Sequence, residues 1–123
     1  MNPPRRPVLN LSDRRVDLDQ HLVFPEVGAV VELSPLEVSL LEFLAARGGE
    51  AVERDVLLTE VWGYAPSVQS RAIDKTVHRL RTKLEFDPSD PQHLQGVRGL
   101  GYRLVGVTVS ADEARRPTAP DRG

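Results

Sequence analysis

The stretch SRAIDKTVHRLRTKL, residues 70–84, contains the most informative pattern of the sequence. Its apolar residues recur at i, i+4, i+7 and i+11, which predicts a helix with one narrow apolar stripe. The stripe consists of Ile73, Val77, Leu80 and Leu84. At 100° per residue the opposite face carries Arg71, Lys75, His78 and Thr82, with Arg79 beside them and Arg81 and Asp74 on the other flank. Such a helix packs on a core and presents cations to an anionic partner, but an ordinary solvated surface helix has the same pattern.

Length and composition indicate one globular domain. The chain has 123 residues, of which 40% are hydrophobic and 28% charged, and this size suits one core and not two. No apolar run approaches the roughly 20 residues of a membrane span, and the stretch MNPPRRPVLN lacks the apolar region of a signal peptide. The absence of cysteine excludes disulfides and thiolate metal sites. We therefore expect a cytoplasmic protein without membrane contacts.

The basic charge is concentrated in one segment, although the net charge of the chain is −2. Residues 1–62 contain 6 basic and 11 acidic groups, a net charge of −5. Residues 63–103 contain 7 basic and 4 acidic groups, a net charge of +3, and residues 104–123 are neutral. A polyanion responds to the local field more than to the total charge. The acidic total therefore does not exclude a nucleic-acid partner.

The N-terminal third has the pattern of a small sheet. Residues 1–7 are proline-rich and basic, which predicts a disordered arm. Even-numbered spacing of apolar residues from Val16 to Phe24 is typical of half-buried strands. We predict three or four short antiparallel strands, with Pro25 at an edge or at the end of a strand.

Three helices are predicted after this sheet. Ser34, Pro35 and Glu37 form a capping-box signature, and the first helix that they start ends at Gly48-Gly49. A second helix runs from about residue 53 to Trp62. The stretch 70–84 is the third helix, with Asp74 in its first turn, where a carboxylate suits the positive helix end.

A hairpin is predicted for LQGVRGLGYRLV, residues 94–105. Its glycines do not form a nucleotide loop, because no Walker pattern and no following helix are present, so they more plausibly allow positive φ at a turn. The hairpin tip carries Arg98. Residues 107–123 lose the pattern and are predicted to be a flexible tail or linker.

Strands, three helices and a hairpin follow each other in the order of a winged helix-turn-helix, an α+β fold. In that arrangement the third helix can enter the major groove of DNA and the hairpin can reach the backbone or the minor groove. The two basic features of this sequence are that helix and that tip, which is a much more specific combination than a basic helix alone.

The chain resembles the OmpR/PhoB-type winged-helix DNA-binding domain, the effector module of many bacterial response regulators. The matching runs are LSPLEVSLLEFLA, LLTEVWG, RAIDKTVHRLRTKLE and VRGLGYRL, collinear over residues 8–106. The resemblance implies an N-terminal four-stranded sheet, a three-helix core and a C-terminal hairpin called the wing. It also implies binding to promoter DNA, usually by two protomers, and contact of loop 63–70 with RNA polymerase.

The resemblance also assigns DNA-binding residues. Recognition-helix positions that contact DNA in the family are occupied by Arg71, Lys75, His78, Arg79 and Arg81. Arg98 matches a wing arginine at the minor groove, Tyr102 a wing tyrosine near a phosphate, and Trp62 a residue whose indole N–H reaches the backbone. The alternative to a DNA contact is a structural role, in which Trp62 and Tyr102 are core aromatics.

Two departures from the family pattern limit this transfer. Lys75 and Thr76 stand where the family often has valine and histidine, so the target sequence cannot be copied from a relative. The receiver domain that precedes this sheet in many members is also missing. A fragment, a regulator with a further domain after the tail and a free-standing domain are all compatible with the sequence.

Two other functions are alternatives to DNA binding. A winged helix that serves only as a protein-interaction module would suit the acidic total, but it would be expected to lack the basic helix face. An enzyme is not expected, because no nucleophile–base pair or phosphate loop is present. The histidines show no ligand spacing, so we expect neither a metal nor a cofactor. We expect a solvated acidic surface away from the DNA, formed by Glu37, Glu42, Glu50, Glu53 and Glu60.

Overall fold

The fold has an N-terminal antiparallel sheet, three helices and a C-terminal hairpin, in the predicted order. This computed structural model describes residues 6–63 and 70–110. The strands are β1 Val8–Asn10, β2 Arg14–Asp17, β3 Leu22–Pro25, β4 Val31–Glu32, β5 Val52–Glu53, β6 Leu94–Val97, β7 Gly101–Leu104 and β8 Thr108–Ser110. The helices are α1 Pro35–Ala45, α2 Arg54–Leu57, extended by a π-helical turn Leu58–Trp62, and α3 Ser70–Leu84. None of the helices in these two ranges is long and apolar enough to cross a bilayer.

The N-terminal sheet follows the predicted alternation only as far as Leu18. In β3 the even-numbered spacing was wrong, because Val23, which lies opposite Val16, is the buried residue, whereas Leu22 and Phe24 are half-buried. The strand order of the sheet is β4-β3-β2-β1-β8, and the core face is lined by side chains such as Leu9, Val16 and Val23, all fully buried. Pro25 is the last residue of β3. It lies opposite Arg14 of β2 but beyond the residues that pair with β4, as expected of a proline at the end of a strand. The four-stranded prediction is thereby confirmed for β1 to β4.

The fifth strand, β8, corrects one boundary. The tail was predicted to begin at residue 107, but residues 108–110 pair with β1, with Leu9 opposite Val109. The Asn10 amide nitrogen donates to the Ser110 hydroxyl at 2.7 Å, which adds a side-chain bond to the strand pairing. Residues 1–5 of the predicted arm 1–7, residues 64–69 of loop 63–70 and residues 111–123 of the predicted tail 107–123 lie outside the described residues.

The first helix begins as its sequence predicts. The Ser34 hydroxyl accepts the Glu37 N–H, and the Glu37 carboxylate accepts the Ser34 N–H, which completes the capping box. The placement of Glu37 on a solvated acidic surface was wrong, because its side chain is only 3% exposed and pairs with Lys83 at 2.7 Å. A buried carboxylate needs such a partner, and this one joins α1 to α3.

The wing strands pack closely on the start of α2. β7 lies between β5 and β6 in a second sheet, and the β6–β7 pairing confirms the predicted hairpin. Gly99 at the tip has φ +74°, as its turn requires, whereas Gly101 serves a different purpose. A methyl group on Gly101 would collide with the Val52 carbonyl oxygen. The second glycine therefore permits close approach of β7 to β5.

Helix α3 lies with its apolar stripe in the core. Ile73, Val77, Leu80 and Leu84 are at most 1% exposed, which confirms the predicted stripe. At the C-terminal end of α3, the buried Glu85 carboxylate accepts backbone N–H groups from three successive residues, Gln92 to Leu94. The helix is therefore held at both its apolar face and its end, and its remaining face is directed to solvent.

Candidate nucleic-acid interface

The outward face of α3 carries a row of exposed basic side chains. Arg71, Lys75, His78 and Arg79 are all exposed. Within the ranges 6–63 and 70–110 their side chains form no hydrogen bond or ion pair with another residue. Lys75, His78 and Arg79, together with Asp74, line a shallow depression on this face. The folded chain therefore leaves these groups available for an external partner.

The flank of α3 that carries Asp74 faces the wing. Asp74 Oδ1 accepts a hydrogen bond from the Tyr102 hydroxyl at 2.6 Å. The same oxygen forms an ion pair with Arg54 Nη2 at 2.8 Å. The prediction that Asp74 lies in the first helical turn was wrong, because α3 begins at Ser70 and Asp74 is its fifth residue. Its carboxylate joins three elements and does not cap the helix.

Arg81 lies on the same flank, as the helical spacing predicted. Its Nε donates to the Leu94 carbonyl at 3.0 Å, and its guanidinium carbon is 5.9 Å from the centre of the Tyr102 ring. This distance is within the range of a cation–π contact. Arg81 is half-buried and already holds β6, so the structure places it apart from the exposed cations.

The wing presents one exposed cation at its tip. Arg98 is exposed and lines a cleft together with Arg54, Leu100 and Tyr102. The tip is fixed because Leu100 N–H donates to the Val97 carbonyl and the Leu100 carbonyl accepts Arg54 N–H. The hairpin tip that carries Arg98 is thereby attached to the start of α2.

The two aromatic candidates are largely internal. Tyr102 is 8% exposed, and its hydroxyl is occupied by Asp74. Trp62 is half-buried and packs against the core, and its indole N–H donates to no described residue. Both residues are in the positions expected of core aromatics. The loop predicted to contact RNA polymerase follows Trp62, and residues 64–69 lie outside the described ranges.

Arg54 was not among the predicted site residues. Its side chain is 40% exposed, its guanidinium lies 5.4 Å from the centre of the Tyr102 ring, and it borders the same cleft as Arg98. An isolated arginine at the start of a helix gives no local sign of its surroundings. The proximity of Arg54 to α3 and the wing depends on tertiary packing.

The contacts among Asp74, Tyr102 and Arg54 shift the pKa of each of these groups. Partial burial raises the pKa of Asp74, but hydrogen bonds from Tyr102 and Arg54 outweigh it and hold that pKa below its usual value. Burial and the bond to Asp74 raise the pKa of the Tyr102 hydroxyl, and the Asp74 bond raises that of Arg54. At neutral pH, Asp74 is therefore a carboxylate and Arg54 a cation. In residues 6–63 and 70–110, no three His, Asp or Glu side chains are grouped to hold a metal ion.

These features form one continuous surface. Arg98 and Arg54 share the cleft, Arg54 touches Asp74, and Asp74 borders the depression with Lys75 and Arg79. A convex helix beside a protruding loop, both with exposed arginines, matches the shape and charge of grooved duplex DNA. This surface has the chemistry for phosphate contacts and for base contacts.

Comparison with protein families places the chain among regulatory domains. The sequence model of the family described as "Transcriptional regulatory protein, C terminal" matches residues 28–104. The DNA-binding response regulator MtrA of Mycolicibacterium smegmatis is 41% identical over 96 residues, which cover 78% of this chain and 42% of MtrA. A probable transcriptional regulator, ycf27 of Porphyridium aerugineum, is 38% identical over 103 residues, or 82% of this chain and 42% of that protein. The chain thus spans about two fifths of these relatives.

Solved structures show the same fold. The response regulator DrrB of Thermotoga maritima, described as an OmpR/PhoB homolog, superposes with a TM-score of 0.69 at 30% identity, over 80% of this chain and 44% of that one. The DNA-binding domain of RstA from Klebsiella pneumoniae, solved in complex with the RstA box, gives a TM-score of 0.67 at 27% identity, over 80% and 97%.

Proposed function

Because the chain belongs to the family of C-terminal domains of OmpR/PhoB-type transcriptional regulatory proteins, we propose that it binds specific duplex DNA sequences and regulates transcription. In this proposal α3 enters the major groove and the wing tip contacts the minor groove or the backbone. The observation that carries it is the continuous surface of exposed cations on α3 and the wing, with Lys75, Arg79 and Arg98 lacking a partner among the described residues. A buried or internally paired set of cations would not support it.

The proposed mechanism separates affinity from specificity. Cations at the rim of the surface neutralise phosphates and supply binding free energy that depends on salt. Base edges are read by a few side chains at the centre of α3. We assign base contacts to Arg79 and Lys75, because they lie beside the depression at the middle of the exposed face. Rim contacts are assigned to Arg71, His78, Arg98 and Arg54.

The remaining predicted DNA contacts differ in how they would act. Arg81 and Tyr102 bind other parts of the protein, so in this proposal they approach DNA only at the margin of the surface and mainly hold the wing in place. Trp62, at the end of the π-helical turn that extends α2, would donate its indole N–H to a DNA phosphate. Promoter DNA is the proposed partner, in the cytoplasm, with homodimers on paired half-sites and RNA polymerase at loop 63–70 as further proposals.

Selection of bound oligonucleotides from a random duplex pool tests the proposal. At about 150 mM salt, we expect one motif to be enriched by the wild-type chain and the enrichment to be lost with Arg79→Ala. The loss on the selected site should be about 1–3 kcal/mol. Arg15→Ala removes the same charge from the exposed Arg15 of the N-terminal sheet, and it should leave the enrichment intact.

Two results would change the proposal. Equal losses on selected and random DNA would show that Arg79 contacts only the backbone. No enrichment, with weak and salt-sensitive binding to every sequence, would favour either an interaction module or a domain that needs dimerisation by another part of the protein.

A further inference from the structure

Asp74 is an unexpected residue on a surface that faces a polyanion. Of the residues that line the cleft and the depression, it is the only carboxylate. Its side chain is 48% exposed, so its charge is not hidden from a ligand. A negative charge beside DNA phosphates opposes binding. The carboxylate therefore lowers affinity unless it contributes something else.

Its contacts indicate what that contribution is. One oxygen, Oδ1, accepts from Tyr102 of β7 and from Arg54 at the start of α2. The Arg54 guanidinium is held between this oxygen and the face of the Tyr102 ring. Arg54 is thus a partly exposed cation at the edge of the surface that cannot move freely toward the nearest phosphate.

We propose that Asp74 is a positioning residue that lowers affinity for DNA in general and increases specificity. It restrains Arg54 and fixes the wing against α3, so both meet phosphates only on DNA whose grooves have the matching spacing. Cations without this restraint would adapt to any duplex. The inference rests on the proposed function, and it adds a residue that acts through Arg54 and not through a base.

The substitution Asp74→Asn separates this role from a structural one. Asparagine keeps an oxygen acceptor for the Tyr102 hydroxyl but removes the ion pair that restrains Arg54, so we expect the fold to be retained and Arg54 to be released. We expect binding to a random duplex to become several-fold tighter. We also expect the slope of log K against log salt to steepen by about one phosphate contact. Binding to the selected site should change less, so the ratio of the two affinities falls.

Matched variants identify the cause. Asp87→Asn removes the same charge from an exposed carboxylate beyond the end of α3, and it should leave the salt slope unchanged. Adding Arg54→Gln to Asp74→Asn should abolish the gain on random DNA, because the released cation is then absent. Thermal unfolding of each variant verifies that the fold persists.

The outcomes are distinct. A loss of affinity on both DNAs with Asp74→Asn, or an unchanged salt slope, would overturn the inference and leave Asp74 with a structural role. A gain that persists when Arg54→Gln is added would also overturn it. A wild-type chain without measurable DNA binding would overturn the proposed function itself, which the selection experiment detects independently.

Discussion

The outer half of α3 (residues 70–79) leaves its basic side chains exposed, whereas the inner half (residues 81–85, ending just after the helix) binds its charged groups inside the protein. In the outer half, Arg71, Lys75 and Arg79 are exposed and have no partner among the described residues. Asp74 is the exception, since it is bound by Arg54 and Tyr102. From Arg81 to Glu85, the charged groups are bound inside the protein. Arg81 donates to β6, Lys83 pairs with Glu37 and donates to the Glu32 carbonyl, and Glu85 accepts three N–H groups. The N-terminal part of α3 therefore presents its cations to solvent, whereas the C-terminal part attaches the helix to the rest of the domain.

The basic composition of a helix therefore does not by itself predict how much of its surface can bind DNA. Buried charges are retained only where geometry and hydrogen bonds repay their desolvation. The inner half meets that condition, and its contacts attach α3 to α1, β4 and β6. Substitutions in the two halves should consequently affect different quantities, namely stability for the inner half and DNA affinity for the outer half.

The largest effect is expected at Glu85. Glu85→Ala would leave three backbone N–H groups without their acceptor, at about 1–3 kcal/mol for each one that stays buried and unsatisfied. We expect the free energy of unfolding to fall by about 3 kcal/mol or more. Chemical denaturation measures this loss, with Asp90→Ala as an exposed acidic control that should stay within about 0.5 kcal/mol. Equal stability of the two variants would show that the inner half is not an attachment point.

The two lysines of α3 give a direct comparison of its halves. Lys83→Met leaves the buried Glu37 carboxylate without its cation, which should cost about 1–3 kcal/mol of stability. Lys75→Met retains a side chain of similar length on the exposed face, so it should change stability by about 0.5 kcal/mol or less. DNA binding should show the reverse order once both proteins are folded. A destabilised Lys75→Met variant would remove the distinction between the halves.

The wing tip tests whether the outer half acts together with a second element. Arg98→Ala should weaken binding to selected and random DNA similarly, and it should lower the salt slope by about one. The measurement is a titration of duplex DNA at several salt concentrations, with Arg15→Ala as the control for a lost surface charge. An unchanged slope would limit the DNA surface to α3.

The patterns that predicted the fold are local. The apolar stripe of α3, the capping box at Ser34 and the glycine hairpin each lie within a few residues, so the sequence displays them directly. The helical spacing also placed Asp74 and Arg81 on one flank. The neighbour on that flank, Tyr102, lies 28 residues from Asp74 in the sequence. Helical periodicity cannot predict a contact over such a separation.

Long-range pairing explains the other differences. Lys83 and Glu37 are 46 residues apart, so Glu37 was assigned to a solvated surface from its local charge alone. The strand at 108–110 gains its stability from β1 at the far end of the sequence, and three residues are too few to give a strand signal. Arg54 enters the candidate site for the same reason, because only the folded chain brings it to the wing.

The smallest expected effect concerns acid stability at the inner end of α3. Arg14 donates to the Lys83 carbonyl and to Asp13, and its hydrogen bond lowers the pKa of Asp13 below 3.8, its usual value. Because the folded-state pKa is the lower one, this pair stabilises the fold fully above the unfolded-state pKa. Its contribution declines as the pH falls past 3.8, and it is lost once the pH is below the folded-state pKa.

Asp13→Asn removes this dependence. We expect its melting temperature to be slightly below that of the wild type at pH 7, and the difference should shrink as the pH falls below 3.8. Differential scanning calorimetry between pH 7 and pH 3 measures both curves, with Asp19→Asn, an exposed carboxylate of the β2–β3 turn, as the control. Parallel curves for Asp13→Asn and the wild type would mean that Arg14 holds the Lys83 carbonyl without help from Asp13. The attachment of the inner half would then depend on Arg14, Lys83 and Glu85 but not on the charge of Asp13.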